Sequence, residues 1–343
     1  MKKLALFLVT IATLAFCSCD PNDDTVNNTL QTSQTSGGSG VNPGGSTTPG
    51  GNNPGGDNPG GTGPTSSIGG FDENGASNAL FSIASDRKVK LAKGNLQYRA
   101  STSTWRFAEN QFDIVGSNNA NIASDYNGWI DLFGWGTSSW NSGANAYLPY
   151  STLSGEEDYW VGGEAYNGLV GEYSNADWGV YNAIENGGNR AGMWRLLTRD
   201  EMGYLIFGRL ASTVNGVANA HYAPAQVAGI NGILVFPDIY VHPKEVPAPV
   251  GINSYDAAYT DNIYNIEQWT MMENAGCAFL PAAGCRQGTT VSEVNEYLYY
   301  WTSTPYCFDA AGVLMMQYSG YISISYLMGR GRGQSVRLVM DAE

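Results

Sequence analysis

The uneven distribution of aromatic side chains is the feature that most constrains how this chain folds. Its 9 Trp, 21 Tyr and 11 Phe include only two residues before position 71, Phe7 and Phe16. A hydrophobic core depends on large apolar side chains, so residues 17–70 cannot supply one. We therefore expect one folded domain at residues 71–343, long enough to bury a sizeable core. Residues 1–18 and 19–70 are expected to be a signal segment and a linker.

Residues 1–18 have the pattern of an export signal. Two lysines precede the mostly apolar segment 4–16, which is too short to span a bilayer. Cys19 follows the small residue Ser18, an arrangement that resembles the lipobox of bacterial lipoproteins, although the residue before Cys17 is bulky and departs from the usual pattern. The resemblance implies that a lipid on Cys19 anchors the mature chain to a membrane. The alternative is an ordinary cleaved signal.

The segment after Cys19 begins with acidic residues and continues as a low-complexity linker. The acidic residues resemble the surface-export signal of Bacteroidetes lipoproteins, which implies an outer-membrane anchor with the domain facing the cell exterior. A generic acidic linker is the alternative. Residues 25–70 are rich in Gly, Asn, Ser and Thr and contain four Pro-Gly-Gly repeats. This composition predicts disorder, and about fifty residues of flexible chain span roughly 40 Å, so we expect a stalk.

The charge balance excludes two classes of partner. The formal net charge is −14, and residues 71–343 carry −12 of it with only 15 Lys and Arg. Nucleic-acid backbones bind basic patches, and anionic lipid surfaces bind basic amphipathic helices. Neither feature occurs in the sequence, so we expect no nucleic-acid partner and no direct binding to anionic lipid.

Capping boxes and alternating apolar residues predict the regular structure. Residues 198–201 and 265–268 are capping boxes, which predict helices running to about Arg209 and to Asn274, the second stopped by Gly276. Residues 113–190 lack periodicity. Hairpin turns are expected near 85–86, at Asn231–Gly232 and near 319–320, with strands at 79–84, 88–93, 94–99, 104–108, 225–228, 233–236, 277–280, 297–304 and 335–340. The pattern indicates an α+β fold with two helices, antiparallel strands and long irregular loops.

Seven blocks of sequence resemble a family of Bacteroidetes surface proteins. The blocks are 93–98, 104–111, 129–137, 193–198, 279–284, 299–304 and 335–339. In this order, over about residues 79–340, they are similar to the major paralogous domain group. That group is related to the C-type-lectin-like fold and, distantly, to formylglycine-generating enzymes. The resemblance implies a C-type-lectin-like fold for residues 71–343.

Motifs for metal binding and catalysis are missing from the sequence. His221 and His242 are 21 residues apart and no Cys-x-x-Cys pair occurs, which disfavours a zinc site. The sugar-binding triplets of C-type lectins and the Gly-x-Ser-x-Gly elbow are also missing. We therefore expect no enzyme activity, no metal and no cofactor. Carboxylates that offer calcium ligands lack EF-hand spacing; they are Asp113, Asp125, Asp131, Asp158, Asp177 and Asp238.

Three further groups favour a structural interpretation. Cys277, Cys285 and Cys307 are an odd number in the domain, so we expect core or loop thiols, with a 277–285 or 285–307 disulfide as alternatives. The carboxylates at 156–158 are typical of a solvated loop. Residues 329–333, Gly-Arg-Gly-Arg-Gly, resemble an anion-binding loop but do not open a helix, so we expect a mobile turn.

The segment 306–334 is dense in Tyr, Ser, Gly and Arg, as protein paratopes are. We expect Arg330 and Arg332 to supply polar anchors and Tyr321 and Tyr326 to supply aromatic area. The competing interpretation is a strand whose alternating residues are simply buried. The candidate ligand-binding residues are Tyr306, Phe308, Asp309, Tyr318, Tyr321, Ser323, Ser325, Tyr326, Leu327, Met328, Arg330, Arg332 and Gln334.

These expectations favour a surface-exposed lipoprotein that binds an external protein or glycan without catalysis. In retroelement-diversified relatives of the C-type-lectin-like fold, the variable residues lie in the corresponding C-terminal stretch, which implies that residues 306–334 are diversified. Two other functions are kept as alternatives. One is a structural or tip component of a surface fibre, and the other is an oxidase similar to formylglycine-generating enzymes, dependent on Cys285 or Cys307.

Overall fold

Antiparallel strands carry most of the regular structure in a computed structural model that describes residues 69–317 and 320–342. The predicted signal segment, Cys19 and the linker up to residue 68 lie outside the described residues. The strands of the described part, numbered in chain order, are β1 Phe81–Ser82, β2 Lys88–Leu91, β3 Leu96–Arg99, β4 Thr104–Phe107, β5 Tyr222–Val227, β6 Ile230–Val235, β7 Ile263–Tyr264, β8 Ala278–Pro281, β9 Cys285–Gln287, β10 Thr290–Ser292, β11 Leu298–Pro305, β12 Ala310–Met316, β13 Ile322–Gly329, β14 Arg332–Gly333 and β15 Val339–Asp341.

Helices are few and short in the part of the chain that the structure describes. The α-helices are α1 Trp178–Tyr181, α2 Arg199–Gly203 and α3 Ile266–Asn274, and α2 continues as a π-helix over Tyr204–Gly208. Short 3₁₀ segments occupy Ala100–Thr102, Gly116–Ala120, Glu156–Tyr159, Val161–Gly163, Gly171–Ala176 and Tyr259–Asp261. Within residues 69–317 and 320–342, no helix has the length and apolar character needed to cross a membrane. The fold is therefore α+β, as the sequence predicts.

The strands of residues 69–317 and 320–342 form five small sheets. Their strand orders are β1-β2-β15, β3-β4, β7-β5-β6-β8, β10-β9-β14 and β11-β12-β13. Apart from the parallel β5–β7 pair, the strand pairs are antiparallel. Pairing of β2 with β15 brings the start and the end of the folded region together, with Val339 opposite Leu91. The predicted hairpins β1–β2 and β12–β13 form, although residues 318 and 319 of the second turn are not described.

Both capping boxes form as predicted. The Thr198 hydroxyl accepts from the Glu201 N–H, and the Asn265 side chain accepts from the Gln268 N–H. The second helix ends at Asn274, and Gly276 follows with a φ of +96°, a conformation that glycine adopts readily. The structure therefore confirms the two predicted helix starts and the stop at Gly276.

The turn of the β5–β6 hairpin lies three residues earlier than predicted. Ala228 and Gly229, with φ of 51° and 84°, make the two-residue turn, whereas Asn231 and Gly232 belong to β6. A Cβ on Gly232 would lie 2.3 Å from the Leu280 carbonyl oxygen, so this glycine permits close approach of β6 and β8. The prediction of an Asn231–Gly232 turn is wrong because that glycine serves strand packing.

The predicted last strand, 335–340, is also wrong in extent. β15 covers Val339–Asp341, while Ser335 forms an isolated bridge with Tyr300. Between Ser335 and β15, the Arg337 side chain points into the core. It donates to the carbonyl oxygens of Ala92 at 2.9 Å and Phe279 at 2.8 Å. The backbone on both sides of Arg337 bonds the β2–β3 segment, because the Val336 and Leu338 oxygens accept from the Leu96 and Ala92 N–H groups at 2.9 Å and 3.0 Å.

Buried Trp and Arg side chains satisfy the backbone of the irregular segments. Loops inside a core leave carbonyl oxygens without ladder partners, and each needs a donor. Indole N–H groups supply four such donors: Trp135 to Thr302, Trp178 to Thr137, Trp194 to Gly187 and Trp301 to Phe133, all within 3.0 Å. Arg209, Arg286 and Arg337 donate to further buried carbonyl oxygens. Trp135 and Trp178 of the segment 113–190 therefore have a structural role.

Candidate binding surface

An exposed aromatic turn joins β11 to β12. The backbone N–H of Tyr306 donates to the Ala310 oxygen at 3.1 Å, which closes the turn. Tyr306 is 38% exposed and Phe308 is 52% exposed. Single exposed apolar side chains are common on soluble surfaces, whereas contiguous exposed apolar patches mark interaction sites. Both residues belong to the set predicted from the sequence.

A second loop, around residues 160–170, lies against this turn and enlarges the exposed surface. The Trp160 indole N–H donates to the Phe308 carbonyl oxygen at 2.7 Å. The same loop exposes Tyr166 at 69% and Val170 at 52%. We call Trp160, Tyr166, Val170, Tyr306 and Phe308 the aromatic surface.

Hydrogen bonds to the sheet hold the aromatic surface in place. The N–H of Leu169, next to Val170, donates to the Ser303 oxygen at 2.9 Å on β11. The Arg199 guanidinium carbon lies 5.2 Å from the centre of the Tyr306 ring, a cation–π contact. Rigid aromatic area of this kind binds ligands at low entropic cost.

Arg330 is not an exposed anchor, which corrects the sequence prediction. The residue is fully buried, and its Nη2 donates to the Cys307 oxygen at 3.0 Å and to the Ala165 oxygen. The guanidinium carbon lies 4.8 Å from the centre of the Trp135 ring. Burial lowers the pKa of Arg330 to about 10, so the group stays charged at neutral pH. Arg330 therefore joins the two loops of the aromatic surface from beneath.

Glu156 completes the support below the surface. Its Oε2 accepts from the Gly331 N–H at 3.3 Å, and burial raises the pKa of its carboxyl group. Residues 330 and 331 form the predicted turn, between β13 and β14, and the Trp135 N–H donates to the Arg330 carbonyl oxygen at 2.9 Å.

The other predicted residues fall into three groups. Met328 and Gln334 are buried and make no exposed surface, which corrects their assignment. Tyr318 lies outside the described residues. The remaining ones are exposed at least in part: Asp309 beside the aromatic surface, Tyr321 before β13, Ser323, Ser325, Tyr326 and Leu327 on β13, and Arg332 on β14.

Tyr326 and Arg332 lie beside a separate polar cluster around Glu293. The Glu293 Oε2 accepts from the Tyr299 hydroxyl at 3.0 Å and from the Cys285 thiol at 3.4 Å. The Tyr299 and Tyr326 rings are 6.2 Å apart. Burial raises the pKa values of Cys285 and Tyr326, so both groups are neutral at pH 7. The contacts of this cluster hold β11, β13 and the β10–β11 connection together.

Two of the carboxylates that offer calcium ligands in the sequence bond backbone N–H groups instead. Asp131 accepts from the Val115 N–H at 2.9 Å, and Asp177 accepts from the Leu196 N–H at 2.6 Å. Burial raises their pKa values to about 6 and about 7. Among the described residues, no group of three or more His, Cys, Asp and Glu is placed to hold a metal ion.

The histidines and cysteines of the described region lie apart. His221 bonds the Arg209 carbonyl oxygen at 2.7 Å, and His242 bonds the Tyr240 hydroxyl at 3.1 Å. Cys277, Cys285 and Cys307 are buried, and neither the 277–285 nor the 285–307 disulfide kept as an alternative is present.

A polar groove of about 540 Å³ lies near residue 70. Its charged groups are largely paired: Lys93 bonds Glu109 at 3.1 Å, and Glu273 accepts from Gln111 at 3.0 Å.

Sequence reasoning missed Trp160, Tyr166 and Val170. All three lie in the segment 113–190, where the density of aromatic residues without periodicity was the available signal. No family model matches the chain, and neither the curated proteins nor the solved structures include a significant match to it.

Proposed function

We propose that this chain binds an external protein or glycan through the aromatic surface, without catalysis. The observation that carries the proposal is the exposure of Tyr166 at 69% and Phe308 at 52% on loops bonded to each other and to a buried arginine. Exposed aromatic anchors on a rigid base are typical of interaction sites, where a few such residues supply most of the binding energy.

We propose further that the chain is a lipoprotein anchored at Cys19 in the outer membrane and facing the cell exterior. The support is the lipobox-like sequence and the acidic residues that follow it. The finer fold assignment, a C-type-lectin-like domain of the major paralogous domain group, is also a proposal. An α+β fold with few helices and many antiparallel strands is compatible with it.

Sequence diversification of the C-terminal segment stays part of the proposal. The exposed part of that segment includes Tyr306, Phe308, Tyr321 and Arg332. A near-copy of the coding segment for residues 306–334 beside a reverse-transcriptase gene would support diversification. Absence of such a copy from the locus would rule out diversification.

One observation favours the fibre component as a second candidate. Leu210, Ile239 and Val241 are 79%, 64% and 79% exposed. Their loops are joined, because the Ser212 N–H donates to the Asp238 oxygen at 3.0 Å. A neighbouring subunit in a fibre would cover such aliphatic side chains.

The test is binding of the detergent-solubilised full-length chain to arrays of glycans and of extracellular proteins. We expect a specific ligand whose affinity falls at least tenfold in Phe308→Ala and Tyr166→Ala. The matched control is Tyr255→Ala, because Tyr255 is also 52% exposed but lies on another loop. Equal binding of the ligand by the unmodified chain and the three variants would place the site elsewhere. If no ligand is found and the chain can be cross-linked into polymers on cells, the fibre component would be favoured.

A further inference from the structure

Exposed carboxylates lie on and beside the loop around residues 160–170, which carries part of the aromatic surface. They are Glu157, Glu164 and Glu172, and we call them the acidic rim. Glu164 lies two residues before Tyr166, and Glu172 lies two residues after Val170. Within the part of the chain that the structure describes, no rim side chain has a hydrogen-bond or ion-pair partner. The rim charges are therefore open to a partner that covers the aromatic surface.

Cations do not offset this charge along the loop. No lysine or arginine occurs between Arg106 and Arg190, a stretch that includes the whole loop. On the neighbouring turn, Asp309 adds a carboxylate directly after Phe308. Because the folded region as a whole carries −12, long-range attraction acts in the same direction as the rim. This face of the protein attracts cations and repels anions.

The buried Arg330 does not reverse that sign. Burial lowers the pKa of Arg330, whereas the nearby Cys307, Glu156 and Asp309 oppose this change, so two carboxylates lie close to the guanidinium group. The arginine itself is fully buried. Its positive charge is offset within the protein, and the exposed side of the aromatic surface stays acidic.

A guanidinium group fits both the rings and the rim. The guanidinium carbon of Arg199 already lies 5.2 Å from the centre of the Tyr306 ring. Elsewhere in the fold, the guanidinium carbons of Arg99 and Arg106 lie 4.1 Å and 3.9 Å from the centre of the Trp129 ring. In such contacts the planar cation packs on the ring while its N–H groups can still reach a carboxylate. The most exposed ring of the aromatic surface, with a rim carboxylate two residues away, offers both contacts to an arginine from outside.

We propose that the partner of the aromatic surface is a basic protein whose arginine and lysine side chains pack on the exposed rings and pair with the acidic rim. This inference rests on the proposed function and selects a protein over a glycan. A neutral glycan would leave the rim carboxylates without ionic partners, and an acidic glycan would be repelled. Because the rim is exposed to water, its ion pairs should speed association and weaken as salt rises, while the rings supply most of the affinity.

An arginine-containing peptide tests this chemistry directly. The probe is a fluorescent peptide of alternating arginine and glycine, and the matched probe has citrulline, a neutral analogue, in place of each arginine. Fluorescence anisotropy follows binding to the detergent-solubilised full-length chain at about 50 mM salt. We expect a dissociation constant of about 100 μM for the arginine peptide, about a tenfold loss of affinity at about 300 mM salt, and no binding of the citrulline peptide.

Matched variants test whether the peptide binds this face. We expect Glu164→Gln/Glu172→Gln and Phe308→Ala each to weaken binding of the arginine peptide about fivefold. The control is Glu245→Gln/Glu267→Gln, which removes the same charge from exposed side chains on other segments and should cost less than about twofold. Equal losses in the two double variants would overturn the proposal, because the attraction would then reflect only the overall charge. Equal binding of the citrulline peptide, or no binding of either peptide, would also overturn it.

The ligand found on the arrays separates this inference from the proposed function. A basic protein weakened by both Phe308→Ala and Glu164→Gln/Glu172→Gln would support both. A glycan weakened by Phe308→Ala but not by Glu164→Gln/Glu172→Gln would overturn this inference and leave the proposed function standing. A ligand that binds Phe308→Ala and Tyr166→Ala as tightly as the unmodified chain would contradict the proposed function itself.

Discussion

The Arg330 Nη2 donates to the backbone oxygen of Cys307 across 3.0 Å, and this bond joins a buried cation to an exposed aromatic turn. Phe308, the next residue, is half exposed and is held from the other side by the Trp160 indole. Arg330 thus supports the aromatic surface from beneath but is not itself exposed on it. A loop held by charge-assisted bonds keeps its shape before a ligand arrives, which lowers the entropic cost of binding.

Arg330→Met should destabilise the fold and weaken ligand binding together. The substitution removes a buried charge but leaves the Ala165 carbonyl oxygen without its donor and the Cys307 carbonyl oxygen with only the Ala310 N–H at 3.4 Å, a net cost of about 2 kcal/mol. Urea denaturation measures the change in the free energy of unfolding. Arg332→Met is the control, because Arg332 is exposed, and should cost less than about 0.5 kcal/mol. A more stable Arg330→Met variant would show that the buried charge costs more than its bonds contribute.

Trp160→Phe should separate binding from stability. The phenyl ring keeps apolar area but cannot donate to the Phe308 oxygen, so the aromatic turn loses one tether. We expect about a fivefold loss of ligand affinity, with a stability change under about 1 kcal/mol, as is typical of one partly exposed hydrogen bond. Trp140→Phe is the control, and titration calorimetry with the ligand found on the array is the measurement. Equal affinities of Trp160→Phe and the unmodified chain would show that this tether does not position the turn.

Asp177 should make the fold less stable as pH rises. Burial raises its folded-state pKa to about 7, above the usual 3.8, so the folded chain keeps a proton that the unfolded chain loses. Stability from this group therefore falls between about pH 4 and pH 7, by up to about 4 kcal/mol. Asp177→Asn should flatten that slope, whereas the exposed Asp125→Asn should not. Thermal denaturation at pH 5 and pH 8 checks this, and parallel slopes for all three proteins would contradict it.

Glu201 should have the opposite pH dependence. Its carboxylate accepts from Arg87 and Arg195 at 2.8 Å and from the Thr198 N–H at 2.9 Å. Although burial opposes ionisation, these bonds hold the pKa below its usual value. The stabilisation is present above about pH 4.5 and is lost as pH falls further. Glu201→Gln should cost about 2 kcal/mol at pH 7 and much less at pH 3, measured by urea denaturation. The exposed Glu267→Gln should cost nothing at either pH, and an equal cost of Glu201→Gln at both would rule out the ionic contribution.

Local patterns predicted the regular structure well. The two capping boxes and the β1–β2 hairpin depend on neighbouring residues, and all three are found where the sequence places them. The Asn231–Gly232 turn was mispredicted because Gly232 is required by contact with Leu280, far away in sequence. Such a long-range contact leaves no local signal.

The candidate site was predicted only in part, for the same reason. Tyr306 and Phe308 are exposed, as proposed from the composition of the C-terminal segment. Arg330 is buried because carbonyl oxygens from two distant loops converge on it, which its glycine-rich neighbourhood does not reveal. Trp160 and Tyr166 reach the same surface from 140 residues away in the chain. Composition indicates binding chemistry, but tertiary contacts decide which residues share a surface.

Hydrogen-exchange footprinting with the array-selected ligand tests the central claim most directly. Ligand at saturating concentration is added to the detergent-solubilised full-length chain, and amide exchange is compared with and without it. We predict slower exchange at residues 160–170 and 306–310, which carry the aromatic surface, and no change around Tyr255. Protection confined to other segments, with exchange at 306–310 unchanged, would contradict the assignment of ligand binding to this surface.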